Sequence, residues 1–260
     1  MNITLLGTGG VAENFAVVLS ANHNVTIVGK SLDALQSLTG YNKLWSASVH
    51  YIPEETDILI IAVQDTKIIT ALQSIDFSVF PQLHVVAHTS GSIGVDVFSA
   101  FTDKGAVFYP LQTFSKNRII DWKNTPLLIE THHQEAETLL FEIAYQIQAV
   151  PFYADSQKRR YIHLGAVFAQ NFFNFLLEVS HQITQKQGLS HSIYHALLQE
   201  TLSKSEQVSP ISVQTGPAKR KDYNTIQSHI RILQSEFPEY EPLYRMLTDY
   251  IVELTCNPKP

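Results

Sequence analysis

Apolar positions along this chain follow two rhythms, and the rhythm changes near residue 154. In the first half, short apolar runs alternate with amphipathic stretches. Ile3-Thr4-Leu5-Leu6 leads into Gly7-Thr8-Gly9-Gly10, after which Val11, Phe15, Val18 and Leu19 recur at helical spacing. Asn24–Val28 reads as a second strand, with a short third near Ser48–Tyr51. Asp57–Val63 is a nearly unbroken apolar run, the mark of a strand buried on both faces. His84–His88, Ala106–Tyr109, Pro126–Ile129 and Ala149–Tyr153 continue the series, with a helix predicted over Gln134–Tyr145. Strand alternating with helix is the pattern of a parallel doubly wound sheet.

The second half reads differently. From Ser156 to about Lys186 there is no proline, and Gly165 is the one glycine. Tyr161, Leu164, Phe168, Phe172, Phe175 and Val179 fall at helical spacing. Such a helix spans roughly 40 Å at about 1.5 Å per residue, too long for a crossover within the sheet. Further helices are predicted over Ser190–Leu202, Tyr223–Glu236 and Pro242–Leu254. The expected fold is therefore α/β: a doubly wound, mainly parallel Rossmann domain over 1–154, then an all-helical domain over 155–260.

Gly7-Thr8-Gly9-Gly10-Val11-Ala12 has the form G-x-G-x-x-A between a predicted strand and a predicted helix, as a dinucleotide fingerprint requires. Gly7 permits the tight turn, Gly9 lets the backbone approach a pyrophosphate, and Ala12 is small enough for close helix–strand packing. Gly10 and Val11 open the helix, whose N-terminal N–H groups suit phosphate. At the end of the second strand stands Gly29-Lys30-Ser31, with no carboxylate for a ribose 2′-hydroxyl. Lys30 as a point charge and Ser31 as a hydrogen-bond donor suit a 2′-phosphate, so NADP is the expected cofactor. Ser31 also suits a cap on a helix over Leu32–Leu38. The missing acid argues equally against an S-adenosylmethionine site.

Composition narrows the class. The chain has 260 residues, 45% hydrophobic and 16% charged, enough for a sizeable core. Its net charge is −6 and its basic clusters are confined to Lys158-Arg159-Arg160 and Lys219-Arg220-Lys221, which excludes a nucleic-acid-binding face. Cys256 is the single cysteine, so no internal disulfide forms. No apolar run reaches membrane-spanning length, and the sequence enters a strand directly without a signal segment; a soluble cytoplasmic protein is expected. His132-His133 lacks a second pair at ligand spacing, so no metal site is expected.

The combination of Gly7–Ala12, Ala62-Val63-Gln64-Asp65, His88-Thr89-Ser90-Gly91-Ser92 and Tyr109-Pro110-Leu111-Gln112-Thr113-Phe114 carries a resemblance. Tyr161-Ile162-His163 with Asn171, and Thr215–Asp222, extend it into the second half. The chain resembles the 6-phosphogluconate dehydrogenase-like superfamily, which includes pyrroline-5-carboxylate reductase and ketopantoate reductase. More closely, it is similar to a bacterial family of NADP oxidoreductases in which a Rossmann-like domain is joined to a helical domain of unknown function.

The resemblance implies that the strand-end loops flank the cofactor's ribose and nicotinamide: Val63, Gln64 and Asp65 in one, Thr89, Ser90 and Gly91 in the other. Ser92 and Gln112 then face the substrate. In related reductases the first half of the long helix faces the nicotinamide and supplies a lysine, and often an asparagine. This chain has no lysine between Lys158 and Lys186. His163 is the available proton donor, with an ordinary pKa of about 6.5; Asn171 can orient a carbonyl. At 100° per residue Asn171 lies about 80° round an ideal helix from His163. Gly216 and Arg220 belong to a loop that suits a substrate carboxylate.

The function expected is NADP-dependent hydride transfer between NADPH and a small carbonyl or imine substrate, possibly a carboxylate, with His163 balancing charge. The partners expected are that small molecule and a second copy of the chain, paired through the aromatic-rich helix. The alternative is a non-catalytic NADP-binding sensor or scaffold, which the missing lysine favours.

Overall fold

In the computed structural model, residues 1–29, 45–48 and 51–256 are described. The chain forms two compact units, Met1–Phe168 and Ala169–Pro260.

The first unit is built on a sheet with eight strands among the described residues: β1 Asn2–Leu6, β2 Asn24–Val28, β3 Trp45–Ser48, β4 Ile58–Ile61, β5 Val85–His88, β6 Gly105–Pro110, β7 Pro126–Thr131 and β8 Val150–Tyr153. Their spatial order is β3-β2-β1-β4-β5-β6-β7-β8. The chain order turns outward in both directions from β1 and β4, the switch point at which such sheets bind ligands. All pairs are parallel except β6 with β7. The third strand lies at Trp45–Ser48, not near Ser48–Tyr51 as its pattern suggested. A strand of Trp, Ser and Ala carries little apolar periodicity, and its place is set by pairing with Val25–Val28.

Register decides where the loops emerge. Leu6 is level with both Val28 and Ile61, and Ile61 with His88. The next residues, Gly7, Gly29, Ala62 and Thr89, therefore leave the sheet along one edge. Apolar side chains pack both faces. Helices α1 (Gly10–Leu19) and α3 (Gln134–Gln146) cover one around Phe15, Leu19, Ile58, Ile60, Leu140 and Ile143. Helix α2 (Ile68–Gln73) covers the other with Leu59, Ile61, Leu72 and Phe98. Ile58–Ile61 are wholly buried, and each such side chain contributes about 1.5–3 kcal/mol.

After β8 the chain enters α4 (Ser156–Ala166). Asp155 caps it, accepting the Lys158 N–H at 2.7 Å. A π-helical segment, Val167–Phe172, continues it into α5 (Phe173–Gln185). The long helix is thus continuous, but the π turn breaks the 100° phase, so the ideal-helix angle between His163 and Asn171 does not carry through.

The second unit is helical: α5, α6 (His195–Gln207), the single turn α7 (Pro217–Arg220), α8 (Tyr223–Glu236) and α9 (Glu241–Cys256). The helix expected from Ser190 begins as a 3-10 turn, His191–Tyr194, because the Ser190 hydroxyl caps Ser192 first. Asp222 caps α8 through Thr225. Ala218, Ile226, Ile230 and Leu233 are this unit's buried apolar residues among those described.

Candidate functional site

The glycine turn after β1 has the geometry its sequence demands. Gly7 has φ +138°, and a Cβ there would sit 2.3 Å from the Ala62 carbonyl oxygen. Gly9 is the opposite case: a Cβ would meet nothing within 4 Å, so its backbone faces open space. Gly9 is also the N-cap of α1, and glycine has no side chain with which to close the helix end. The N–H groups of the first turn are left for a ligand. Gly7, Thr8 and Gly9 line a cleft of about 590 Å³ together with Gly29, Val63 and Gln64. An open glycine backbone at an uncapped helix end is a cradle that fits a dinucleotide pyrophosphate.

Gly10 begins the helix under the Phe114–Ser115 backbone, Val11 packs half-buried on the core, and Ala12 is buried. Lys30 and Ser31 lie outside the described residues, as does the helix expected over Leu32–Leu38. The cleft also carries two ammonium groups that sequence reasoning missed, Lys67 and Lys116. Neither belongs to a motif, and Lys116 reaches the cleft through a loop whose path no periodicity reveals.

The loop after β5 is tied to the loop after β4 by one carboxylate. Asp65 accepts hydroxyl hydrogen bonds from Ser90 at 2.7 Å and from Ser92 at 2.6 Å. Ser90 Oγ in turn accepts the N–H groups of Ser92 and Ile93, at 3.1 and 3.0 Å. Ser90 is thus buried and engaged inside the loop, whereas Ser92 is exposed. Thr89, half-buried, donates its N–H to the Ile61 carbonyl. His88 lies beneath. Its ring stacks on Phe98, its Nδ1 accepts the Ser90 N–H at 3.2 Å, and its Nε2 is 3.4 Å from the Gly94 carbonyl. Donation to that carbonyl fixes a neutral ring with its proton on Nε2. Burial pushes its pKa down to about 4, against a smaller opposing pull from the Gly94 hydrogen bond. His88 is a packing residue of this loop.

Above the loop stands a pair of proton-bearing groups. The Tyr109 hydroxyl, from the end of β6, lies 3.1 Å from His163 Nδ1 on α4. Their rings meet edge to face at 5.9 Å between centroids. Both press on Gly91, where a Cβ would be 2.7 Å from His163 Nδ1 and 2.8 Å from Tyr109 Cζ. Burial, helped by the charge of Asp65, raises the Tyr109 pKa above its ordinary value. Tyr109 was visible in the motif Tyr109–Phe114, but nothing in the sequence joins it to His163.

The helix is held in this position by a buried ion pair one turn earlier. Arg159 is fully buried and donates to Glu130 on β7 and to the Ile93 carbonyl. Glu130 also accepts the Ser156 N–H at 2.8 Å. Arg160 Nε lies 3.4 Å from the Ser92 carbonyl. Residues 159, 160 and 163 thus fasten α4 to the loop 90–94. Breaking such a buried pair costs about 3–5 kcal/mol, because one charge is left without compensation.

Of the remaining sequence candidates, Gln112 belongs to the first unit, and Asn171, Gly216 and Arg220 belong to the second, which is described by itself. Gln112 is exposed and accepts the N–H of its neighbour Thr113 at 2.8 Å. Asn171 is exposed within the π segment. Gly216, with φ +100°, precedes the single turn α7, on which Arg220 is exposed. No group of three His, Cys, Asp or Glu residues that could hold a metal occurs among the described residues. No helix among them is long and apolar enough to cross a membrane.

Residues 2–113 match the model of a Rossmann-like domain, and residues 125–251 that of a domain of unknown function, DUF2520. No curated protein matches the chain. Among solved structures, a Bacteroides fragilis protein provisionally named an NADP oxidoreductase is 30% identical, with a TM-score of 0.86 over 97% of this chain and 98% of that one. A reductive aminase from Aspergillus terreus, solved with NADPH and ethyl-5-oxohexanoate, is 11% identical, with a TM-score of 0.71 over 97% and 93%. A pyrroline-5-carboxylate reductase from Coxiella burnetii is 16% identical, with a TM-score of 0.57 over 98% and 97%. The last two share the fold.

Fold and site define a Rossmann-like protein with a helical second half. The chain belongs to the family of the Bacteroides fragilis protein, and in this chain the Rossmann-like domain is followed by DUF2520.

Proposed function

We propose that the chain is an NADP-dependent reductase acting on a small carbonyl or imine, and that Tyr109 and His163 supply the proton. The observation that carries this reading is the Tyr109–His163 hydrogen bond, set over Gly91 on the same sheet edge as the glycine cleft. A bound reduced nicotinamide supplies the hydride. The chain's own part is to protonate the heteroatom on which charge develops, a contribution of about 10²–10⁴ in rate.

The tautomer of His163 decides whether this works. With Nδ1 bare, the ring accepts the tyrosine O–H, which is then not free for the substrate. With Nδ1 protonated, the ring donates to the phenol oxygen and leaves the O–H for the substrate. That same hydrogen bond then stabilises the phenolate left behind, which regains its proton from solvent. The raised Tyr109 pKa keeps the hydroxyl protonated, as a donor must be. The pair also offers a reading of the missing helix lysine, since His163 is the polar group that α4 brings to the tyrosine hydroxyl.

Support for a nicotinamide cofactor comes from the open glycine cradle and from the names of the similar structures. The choice of NADP over NAD rests on Lys30 and Ser31. In the same reading the chain works as a homodimer through its helical unit.

The test is turnover. Purified protein with NADPH and a panel of small aldehydes, ketones, keto acids and cyclic imines should consume the cofactor with at least one member. Tight NADPH binding with no turnover across the panel would favour the sensor reading instead.

A further inference from the structure

The cleft holds a cation that the glycine fingerprint does not account for, and the fingerprint helix itself fixes it there. Lys116 stands on the segment that follows β6. Just before it, the backbone is pressed on Gly10: a Cβ at Gly10 would lie 3.1 Å from the Ser115 carbonyl carbon and 3.2 Å from Phe114 Cβ. Just after it, the Asn117 N–H donates to Glu13 Oε2 at 3.0 Å. Asn14 fastens two further points. Its Nδ2 donates to the Arg118 carbonyl at 3.0 Å, and its Oδ1 accepts the Ile120 N–H at 2.8 Å. Asn117 has φ 62°, a left-handed conformation that asparagine tolerates, and this turns the strap back over the helix.

Glu13 and Asn14 are both buried and both lie near the start of α1. Backbone on each side of Lys116 is therefore tied to the element that carries Gly9 and Gly10. The side chain is not tied: Lys116 is exposed, lines the cleft with Gly7, Thr8 and Gly9, and takes part in none of the ion pairs among the described residues. A glycine turn and a helix N-terminus offer N–H groups and partial charge, but no formal positive charge against a pyrophosphate. An ammonium carried on this tethered backbone, with no ion-pair partner among the described residues, supplies it.

We propose that Lys116 is a pyrophosphate-binding residue of the nucleotide site, its ammonium facing the phosphates across from Gly7–Gly9. The proposal rests on the nucleotide reading above. It separates two lysines by role: contact with Gly10 sets Lys116 at the helix end, where the pyrophosphate shared by NADP and NAD belongs, whereas Lys30 follows the end of β2, where the ribose corner belongs.

Calorimetric titration of the full chain with NADPH and NADH decides it. Lys116→Ala should weaken both by the same factor, about tenfold or more, the value of a charge-assisted hydrogen bond. Lys116→Arg should recover most of that affinity, and adenosine, which lacks phosphate, should bind both forms alike. An unchanged melting temperature without ligand would exclude unfolding as the cause. Loss confined to NADPH would overturn the proposal, because the ammonium would then be reading the 2′-phosphate; unchanged affinities would overturn it as well. If the unaltered chain binds neither dinucleotide, the nucleotide reading itself fails and takes this proposal with it. That arm is read on the wild type alone, so the two failures are distinct.

Discussion

Tyr109 and His163 meet across 54 positions of sequence with 3.1 Å between hydroxyl and Nδ1, and the meeting depends on Gly91 having no side chain. Each residue comes from a rigid element, Tyr109 from β6 and His163 from α4. The loop between them is stapled by Asp65, Ser90 and Arg159. A site built on elements in this way holds its geometry without a ligand to order it.

Removing either partner should therefore separate chemistry from binding. Tyr109→Phe and His163→Ala are each expected to lower kcat by about a hundredfold, the usual share of a general acid, with NADPH affinity within about twofold of wild type. The double variant should lose little more than either single one, since the two act as one unit. The alkaline limit of kcat/KM should lie above about pH 10, the ordinary tyrosine value, because burial holds the hydroxyl protonated. A limb that persists unchanged in Tyr109→Phe would remove Tyr109 from the mechanism.

Gly91→Ala tests the spacing. The added methyl would approach His163 Nδ1 at 2.7 Å and Tyr109 Cζ at 2.8 Å, closer than real contacts allow. Something must move, and the two rings are the nearest atoms. The expected result is a protein destabilised by about 1–3 kcal/mol, the usual penalty of overpacking, with kcat reduced as far as in His163→Ala. Denaturant unfolding and steady-state turnover read the two effects separately. Full activity in a stable Gly91→Ala protein would show that the pair is not needed in its observed form.

Much of this architecture was legible in the residues, and what was missed shares one cause. The glycine turn, the buried run Ile58–Ile61 and the long proline-free helix are local signals, and each lies where its pattern predicts. Strand direction is not local, so nothing in Pro126–Thr131 announced that β7 runs antiparallel to β6. The π segment within the long helix left no mark in Val167–Phe172 beyond ordinary helix formers. The site fared likewise. The strand-end loops could be placed from the fingerprint, but Tyr109 with His163, Arg159 with Glu130, and Lys116 with the glycine cleft are meetings across 29 or more residues. The burial of His88 is likewise a product of the fold and not of any local pattern.

That burial has a consequence for stability in acid. In the folded chain His88 titrates at about 4, against about 6.5 when unfolded. Between those values the unfolded state binds more protons, so stability falls as pH falls through this window and levels off below about pH 4. From about pH 7 to about pH 5 the loss due to this one ring is on the order of 2 kcal/mol. His88→Gln removes the titration but not the polar character. Its stability at about pH 7 should be lower than wild type, because the Ser90 N–H loses its acceptor. Across the window, however, its stability should fall less steeply. Urea unfolding at a series of pH values measures both, and parallel slopes would mean that the ring protonates without hindrance in the fold.

The helical unit makes a different kind of prediction, because it leaves so much of its apolar surface in water. Helix α5 buries one residue among Phe173–Gln185, Thr184, and α6 buries none. Leu189, Ile193, Leu197 and Leu202 are all at least half exposed. Single exposed apolar residues need no explanation, but a run of them along neighbouring elements is the usual mark of an association surface. A second copy of the chain is the occupant we expect, since a self-complementary patch closes with two-fold symmetry and leaves no further surface to extend. Light scattering of the full chain at micromolar concentration should return the mass of a dimer. Leu197→Glu with Leu202→Glu, both on exposed positions of α6, should shift that mass toward the monomer while far-UV circular dichroism stays unchanged. A wild-type mass equal to one chain would end the dimer reading, and would leave those leucines to be explained by some other partner.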